Sequence, residues 1–252
     1  MTTWALDLDG VLWTGKDPIA GSADAVSLLR QAGHDVIFVT NNSFATIAEQ
    51  EAKLASFGIE AAGHVVSSAQ AGASLVEAGE RVYVLGGPGV VEAVEARGAV
   101  VVDTGVDAGV VDAVLVGLDW GLTYHRLLHA SQHVREGARF VATNADSSYP
   151  TEHGLYPGAG SLVAAVAVAS GGTPVVAGKP HAPIAELVKH RFGTEGIMVG
   201  DRADTDGRFA RSVGYRFGLV FSGVMSRADL PTDPMPDVTA DDLYSLVLAE
   251  LG

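Results

Sequence analysis

Short runs of Val, Ile, Leu and Ala alternate along the chain with segments whose apolar residues recur at helical spacing, and Gly, Asn or Asp stands at the junctions. The apolar runs predict strands over Trp4 to Leu8, Asp35 to Val39, Arg81 to Leu85, Ala99 to Val102, Ala113 to Gly117, Arg139 to Ala142, Ile197 to Val199 and Tyr215 to Val220. Helical periodicity predicts Ser22 to Ala32, Ala45 to Phe57, Val90 to Ala96, Tyr124 to Glu136, Ser161 to Ala169, Pro183 to Arg191 and Asp241 to Leu251. Gly33, Gly58, Gly98 and Gly137 each follow such a segment, where a left-handed residue closes the last turn. Strand and helix in alternation are the rhythm of an α/β protein with a mainly parallel sheet.

Composition narrows the function classes. The 252 residues allow one large domain or a main domain carrying a smaller one, and 48% hydrophobic residues supply ample apolar surface for a core. Lys and Arg number 16 against 30 Asp and Glu, a net charge of −14, so the long-range field repels nucleic acid and anionic lipid. The absence of cysteine excludes disulfides, thiolate metal sites and cysteine nucleophiles. The start lacks the basic and apolar pattern of a secretion signal. The longest apolar run, Leu162 to Ala169, has eight residues, where a membrane span needs about 20. A cytoplasmic protein without membrane or nucleic-acid partners is expected.

Four polar motifs interrupt the apolar pattern. In Asp7-Leu8-Asp9-Gly10-Val11-Leu12-Trp13 the strand alternation puts Asp7 and Asp9 on one side at the strand's carboxyl end, and Gly10 allows a sharp turn. The plainer reading is a turn at Asp9-Gly10. Val39-Thr40-Asn41-Asn42-Ser43 follows a strand with a hydroxyl and backbone N–H groups suited to an anion. Asn42 or Ser43 also reads as a helix N-cap there. Ala177-Gly178-Lys179-Pro180-His181 is a near miss to a nucleotide phosphate loop, with Pro180 where a hydroxyl is needed. It reads either as one fixed positive charge or as a solvated loop lysine. Ile197-Met198-Val199-Gly200-Asp201-Arg202-Ala203-Asp204-Thr205-Asp206 ends an apolar strand with three carboxylates within six residues. Such crowding suits a hard divalent cation, with Mg²⁺ the natural choice, or else a solvated acidic loop.

The order DxDGxxW, VTNN, GKP and GDRxxTD resembles the haloacid dehalogenase superfamily of phosphohydrolases. It is most similar to the subgroup of para-nitrophenyl phosphatase, phosphoglycolate phosphatase, glycerol-phosphate phosphatase and pyridoxal phosphatase. The resemblance extends over nearly the whole chain. It includes Ala142-Thr143-Asn144-Ala145-Asp146 with Gly154-Leu155-Tyr156-Pro157-Gly158-Ala159-Gly160-Ser161, which is similar to the subgroup's cap signature.

The resemblance implies a Rossmann-like core, residues 1–78 and 175–252, split by an inserted smaller α/β cap at 79–174. It implies that Asp7 is a nucleophile forming an aspartyl-phosphate, and that Asp9 protonates the leaving oxygen and then serves as base for the hydrolytic water. Thr40 would bind a phosphoryl oxygen together with Asn41 and Asn42, and Lys179 would neutralise the nucleophile and the phosphate. Mg²⁺ would be held by Asp7, the Asp9 carbonyl and Asp201, with Asp206 behind them orienting either a water or Lys179. The implied activity is a Mg²⁺-dependent phosphomonoesterase on a small ester of the phosphoglycolate, glycerol phosphate, para-nitrophenyl phosphate or nucleotide monophosphate type. A phosphotransferase or mutase, and a non-catalytic phosphometabolite-binding protein, are the alternatives. Homo-oligomerisation through the cap is common among similar proteins. Gly207, where the subgroup has an apolar residue, predicts looser packing behind the metal loop.

Other features have structural readings. His125, His129 and His133 share a helix face and suit either a transition metal or a solvated or oligomer-facing cap helix. Gly86-Gly87-Pro88-Gly89 lacks dinucleotide-loop spacing and reads as a structural turn. Trp13 either covers the leaving group or packs a hinge. Tyr149 either meets the leaving group or lies in the cap core.

Overall fold

The computed structural model describes residues 2–102, 109–151 and 153–252. They form two compact units: the described residues within 1–40, 48–66 and 179–252 make the first, and those within 41–47 and 67–178 the second. The second unit's range takes in the stretch 79–174 and, beyond it, residues 41–47, 67–78 and 175–178, which the sequence reading assigns to the core.

The first unit holds a six-stranded sheet in the spatial order Val238–Ala240, Arg216–Val220, Gly196–Gly200, Thr3–Leu6, Asp35–Thr40, Val65–Ser67. Pairing is parallel from Val238–Ala240 through to Asp35–Thr40. Thr3–Leu6 is buried along its whole length, as are the central residues of its neighbours. That is why these strands read as continuous apolar runs rather than as an alternation. Helices Ser22–Gln31 and Leu243–Leu251 pack together, as do Ala182–Phe192 and Arg208–Val213.

The second unit is built on a five-stranded parallel sheet ordered Val175–Val176, Arg139–Ala142, Ala113–Val116, Arg81–Leu85, Val100–Val102. Its two faces carry separate cores. Tyr83, Leu85, Val114, Val116 and Phe140 pack with Ala130, Leu162 and Val166 of helices Tyr124–Arg135 and Ala159–Ser170. Val82, Val84, Ala113, Leu115 and Val141 pack with Ala69, Ala73, Val90 and Val94 of Ser68–Ala73 and Pro88–Ala96. Two antiparallel hairpins complete the strands, Trp13–Thr14 with Asp17–Pro18 and Ser148–Thr151 with Gly154–Pro157.

All eight strands and seven helices expected from the sequence are present, and the four closing glycines have positive φ. The additional strands Val65–Ser67, Val175–Val176 and Val238–Ala240 are sheet edges of two or three residues, too short to show a period. Many ends shift by one or two residues from expectation, and two of these shifts have a visible cause. The first strand stops at Leu6 instead of Leu8, because the Leu8 carbonyl turns to accept from the backbone N–H of Val11 and Leu12. The helix expected from Ala45 starts at Ile47, because Asn42 Oδ1 accepts from the N–H of Phe44 and Ala45 in a preceding turn. Neither Asn42 nor Ser43 is therefore that helix's N-cap. Ser43 Oγ instead accepts from the Thr143 hydroxyl and the Leu118 N–H. Among the described residues, no helix is long and apolar enough to cross a membrane.

Candidate active site

Three adjacent strands of the first unit deliver polar residues at their carboxyl ends. Asp7 follows Thr3–Leu6, with its N–H on the Val199 carbonyl at 2.9 Å. Thr40 closes the neighbouring strand on one side, and Asp201 follows Gly196–Gly200 on the other. The chain departs from the central strand toward opposite sides of the sheet, and such a switch point opens a crevice at the strand ends.

Lys179, just ahead of helix Ala182–Phe192, reaches into this end of the sheet and is buried. Its Nζ donates to Asp7 Oδ1 at 2.7 Å, to Asp206 Oδ1 at 2.7 Å and to the Val39 carbonyl at 3.0 Å. The solvated-lysine reading of the GKP motif is thereby excluded. Carboxylate oxygens of Asp7, Asp201 and Asp206 all lie within 4.8 Å of one another.

Asp206 owes its place to local backbone geometry. Residues Ala203–Gly207 form one π-helical turn, with the Gly207 N–H on the Arg202 carbonyl at 3.2 Å. Such single wide turns recur at functional sites. With Oδ1 on Lys179, Asp206 Oδ2 accepts from the Arg202 N–H at 3.2 Å. Asp204 points away and pairs with the exposed Arg202 guanidinium.

The packing behind this turn is close, which corrects the expectation of looseness at Gly207. A methyl group there would stand 2.8 Å from the Phe217 ring, so the bare glycine lets the turn lie on buried Phe217. Asp201 is enclosed in a comparable way. Its Oδ2 accepts from the Val224 N–H at 2.7 Å, and a side chain at Gly10 or Gly223 would run into its carboxylate. Gly10 also has φ +82°, a backbone turn that other residues rarely make. Ser222 Oγ donates to the Gly10 carbonyl at 2.7 Å, which ties the loop after strand Arg216–Val220 to the Asp7–Gly10 turn. Sequence reading missed Ser222, Gly223 and Val224. The signal available was a small-residue loop directly after a predicted strand of the same sheet.

Electrostatics follow from burial and crowding. Burial, then the neighbouring Asp7 charge, pushes Asp201 up to about 6, with the Val224 N–H opposing. Burial also raises Asp206, against the pull of Lys179, and the charges of Asp7 and Asp201 add to the rise. For Lys179, burial works against the charge, but Asp206 and Asp7 outweigh it and hold the ammonium well above its ordinary range. Asp9 is raised by burial and then by Asp7, while Lys53 and the Trp13 indole N–H pull the other way. Three carboxylates around one ammonium leave an excess of negative charge in a poorly solvated space. At an effective dielectric of 20, two full charges 4 Å apart repel by about 4 kcal/mol. An all-oxygen, anionic donor set of this kind fits a hard divalent cation.

Asn41, Asn42 and Tyr149 belong to the second unit. Asn41 Nδ2 donates to the Asp146 carboxylate at 3.1 Å, and its carbonyl accepts from Ser68 Oγ and Asn144 Nδ2. Tyr149 is half-buried, edge-on to the half-exposed Trp120 at 5.7 Å. The Gly86 to Gly89 turn is structural, as expected. Gly87 and Gly89 give room to Phe44 and to the Ala45 carbonyl, and the Gly89 N–H donates to the Phe44 carbonyl at 2.8 Å. His133 packs on the Tyr83 ring at 5.3 Å and faces Glu136 at 3.6 Å. Among the described residues, Asp7, Asp201 and Asp206 are the one cluster of three or more acidic or imidazole groups within metal-binding reach, so the histidine face forms no such site.

Comparison with known proteins gives a consistent result. A family model described as haloacid dehalogenase-like hydrolase matches residues 4–100, and a related HAD-hydrolase-like model matches residues 176–246. The 5'-nucleotidase YutF of Bacillus subtilis is 36% identical over 91% of each chain. An acid sugar phosphatase of Staphylococcus saprophyticus is also 36% identical, over 97% of this chain and 96% of its own. The crystal structure of a glycerol phosphate phosphatase from Mycobacterium tuberculosis in complex with magnesium superposes with a TM-score of 0.88 at 34% identity, covering 97% of this chain and 75% of that one.

Proposed function

Because the chain belongs to the haloacid dehalogenase-like hydrolases and is a phosphatase of small phosphate esters, we propose that it is a Mg²⁺-dependent phosphomonoesterase working through an aspartyl-phosphate on Asp7. The observation that carries this reading is the buried Lys179 bound to both Asp7 and Asp206, with Asp201 in reach, at the ends of adjacent parallel strands.

In this reading an Asp7 carboxylate oxygen attacks phosphorus, the ester P–O bond breaks, and Asp9 passes its proton to the departing oxygen. Water then attacks the phosphorus of the aspartyl-phosphate. Asp9 takes the water's proton, and the acyl-phosphate bond breaks to free Asp7 and inorganic phosphate. Lys179 fixes Asp7 Oδ1 and places a permanent positive charge beside the phosphoryl group, and Thr40 offers a hydroxyl to a phosphoryl oxygen. Asp7, the Asp9 carbonyl and Asp201 would hold Mg²⁺. Both oxygens of Asp206 are engaged, by Lys179 and by the Arg202 N–H, which supports a role in holding the lysine. When bound, the ion supplies positive charge that lets an anionic nucleophile approach an anionic ester. The reading also assigns substrate contacts to Asn41, Asn42 and Tyr149. Nucleotide, sugar and glycerol phosphates, the substrates for which relatives are named, are the esters to screen first.

The test is hydrolysis of para-nitrophenyl phosphate with magnesium, with EDTA, and by the Asp7→Asn variant. Turnover is expected only in the first, and equal rates in all three would reject the mechanism.

A further inference from the structure

The Asp9 carboxyl is held by Trp13, the last residue of its own motif, whose role the sequence leaves open between covering the leaving group and packing a hinge. Trp13 is buried, and its indole Nε1–H donates to Asp9 Oδ1 at 2.8 Å. The ring is itself clamped. Phe57 packs on it at 5.7 Å between centroids, and the ammonium of Lys53 lies 3.9 Å from its centroid. Lys53 also donates to the Gly15 carbonyl at 3.2 Å, within the short hairpin that carries Trp13. The last turn of helix Ile47–Ser56 and the residue after it thus grip both faces of the problem, the indole and the hairpin behind it.

An indole N–H donates and never accepts. Oδ1 of Asp9 is the accepting oxygen, and because a carbonyl oxygen accepts better than a carboxyl hydroxyl, this bond favours Oδ2 as the oxygen that carries a proton. We propose that Trp13 is the positioning residue of Asp9: its N–H selects Oδ2 as the proton-bearing oxygen and aims it, and Lys53 fixes the indole that does so. The inference rests on Asp9 acting as the acid and base. It adds to that reading a definite proton-carrying atom and a second layer of control, set by a helix distant in sequence from the motif.

A leaving group that needs no protonation tests the assignment. The value of kcat/KM covers the steps up to cleavage of the ester bond, so it is compared for para-nitrophenyl phosphate, whose phenolate departs unaided, and glycerol phosphate, whose alkoxide does not. Trp13→Phe keeps a ring and removes the donor. It should lower kcat/KM for glycerol phosphate by about 10- to 100-fold more than for para-nitrophenyl phosphate, a share of the roughly 10²- to 10⁴-fold range of acid–base assistance. Lys53→Met should bias the two esters the same way by a smaller factor. A merely structural loss lowers both esters alike, and that result, or no loss for either, overturns the proposal. Asp9→Ala separates the two levels. If it shows no leaving-group bias, the reading of Asp9 itself fails; if it does and Trp13→Phe does not, only the role of Trp13 fails. A readout independent of activity is hydrogen exchange of the Trp13 indole proton in the metal-free protein. It should be slow in the wild type and fast in Asp9→Ala, and fast exchange in both would also overturn the contact.

Discussion

Lys179 is the residue on which the site's charge balance turns. It is buried between Asp7 and Asp206, so removing its ammonium strands two carboxylates in a place that solvates them poorly. Lys179→Met is expected to destabilise the metal-free protein by about 3 kcal/mol, the scale for breaking one side of a buried ion pair. It should also lower kcat by about 10²-fold or more, as for other lost donors to developing charge. Thermal unfolding and steady-state kinetics read the two effects separately. Asp201 gives the pH dependence. In the metal-free fold, burial and then the Asp7 charge push its carboxyl up to about 6, above the ordinary 3.8. The stability this group contributes is therefore fully present below 3.8 and is lost as pH rises through about 6. Above that range the ionised group stands beside Asp7 and a cation competes with no proton. The increase in Tm given by magnesium should accordingly be larger at about pH 7.5 than at about pH 5, and an equal increment at both would count against Asp201 as a ligand.

At the scale of elements, the strands and helices that were legible are those long enough to show a period, and the parts that aim the site are not periodic at all. The π-helical turn Ala203–Gly207 has no compositional mark, yet one residue more or fewer in it would swing Asp206 away from Lys179. The early end of the first strand at Leu6 has a similar character, since the bonds that bend the chain come from Val11 and Leu12 further on. The loop of Ser222, Gly223 and Val224 belongs to the site only because strand Arg216–Val220 lies beside Gly196–Gly200. Gly223→Ala is expected to push the Asp201 carboxylate aside and raise the magnesium concentration for half-maximal activity by about tenfold, within the range for disturbed groups around a metal site. The fold should be unaffected, so unchanged circular dichroism with unchanged magnesium dependence would show that Asp201 has room to move.

For the whole molecule, the net charge of −14 opposes the approach of a phosphate dianion, and the buried ammonium acts only at close range. Raising ionic strength from about 10 to about 100 mM shortens the screening length to about 10 Å and should increase kcat/KM about twofold, the reverse of an electrostatically steered enzyme. A fall over the same range would mean that a local positive field reaches further than the sequence charge suggests. Much of the chemistry was legible before any fold was known. Carboxylates at the ends of apolar runs have no packing use, so Asp7, Asp9 and Asp201 stand out by type and position, and the run of strands and helices sets an α/β class. Lys179 gains its role only from the resemblance of the four motifs to a known family. Tertiary structure decided the rest, because contacts between distant segments carry no local period. It paired Lys179 with Asp206 rather than with solvent, enclosed Asp201 between two glycines from separate loops, and set the Trp13 indole on Asp9 with Lys53 behind it. The sequence determines which groups are present, since residue type sets charge and donor chemistry. Which oxygen faces which proton is decided only when the strands lie side by side.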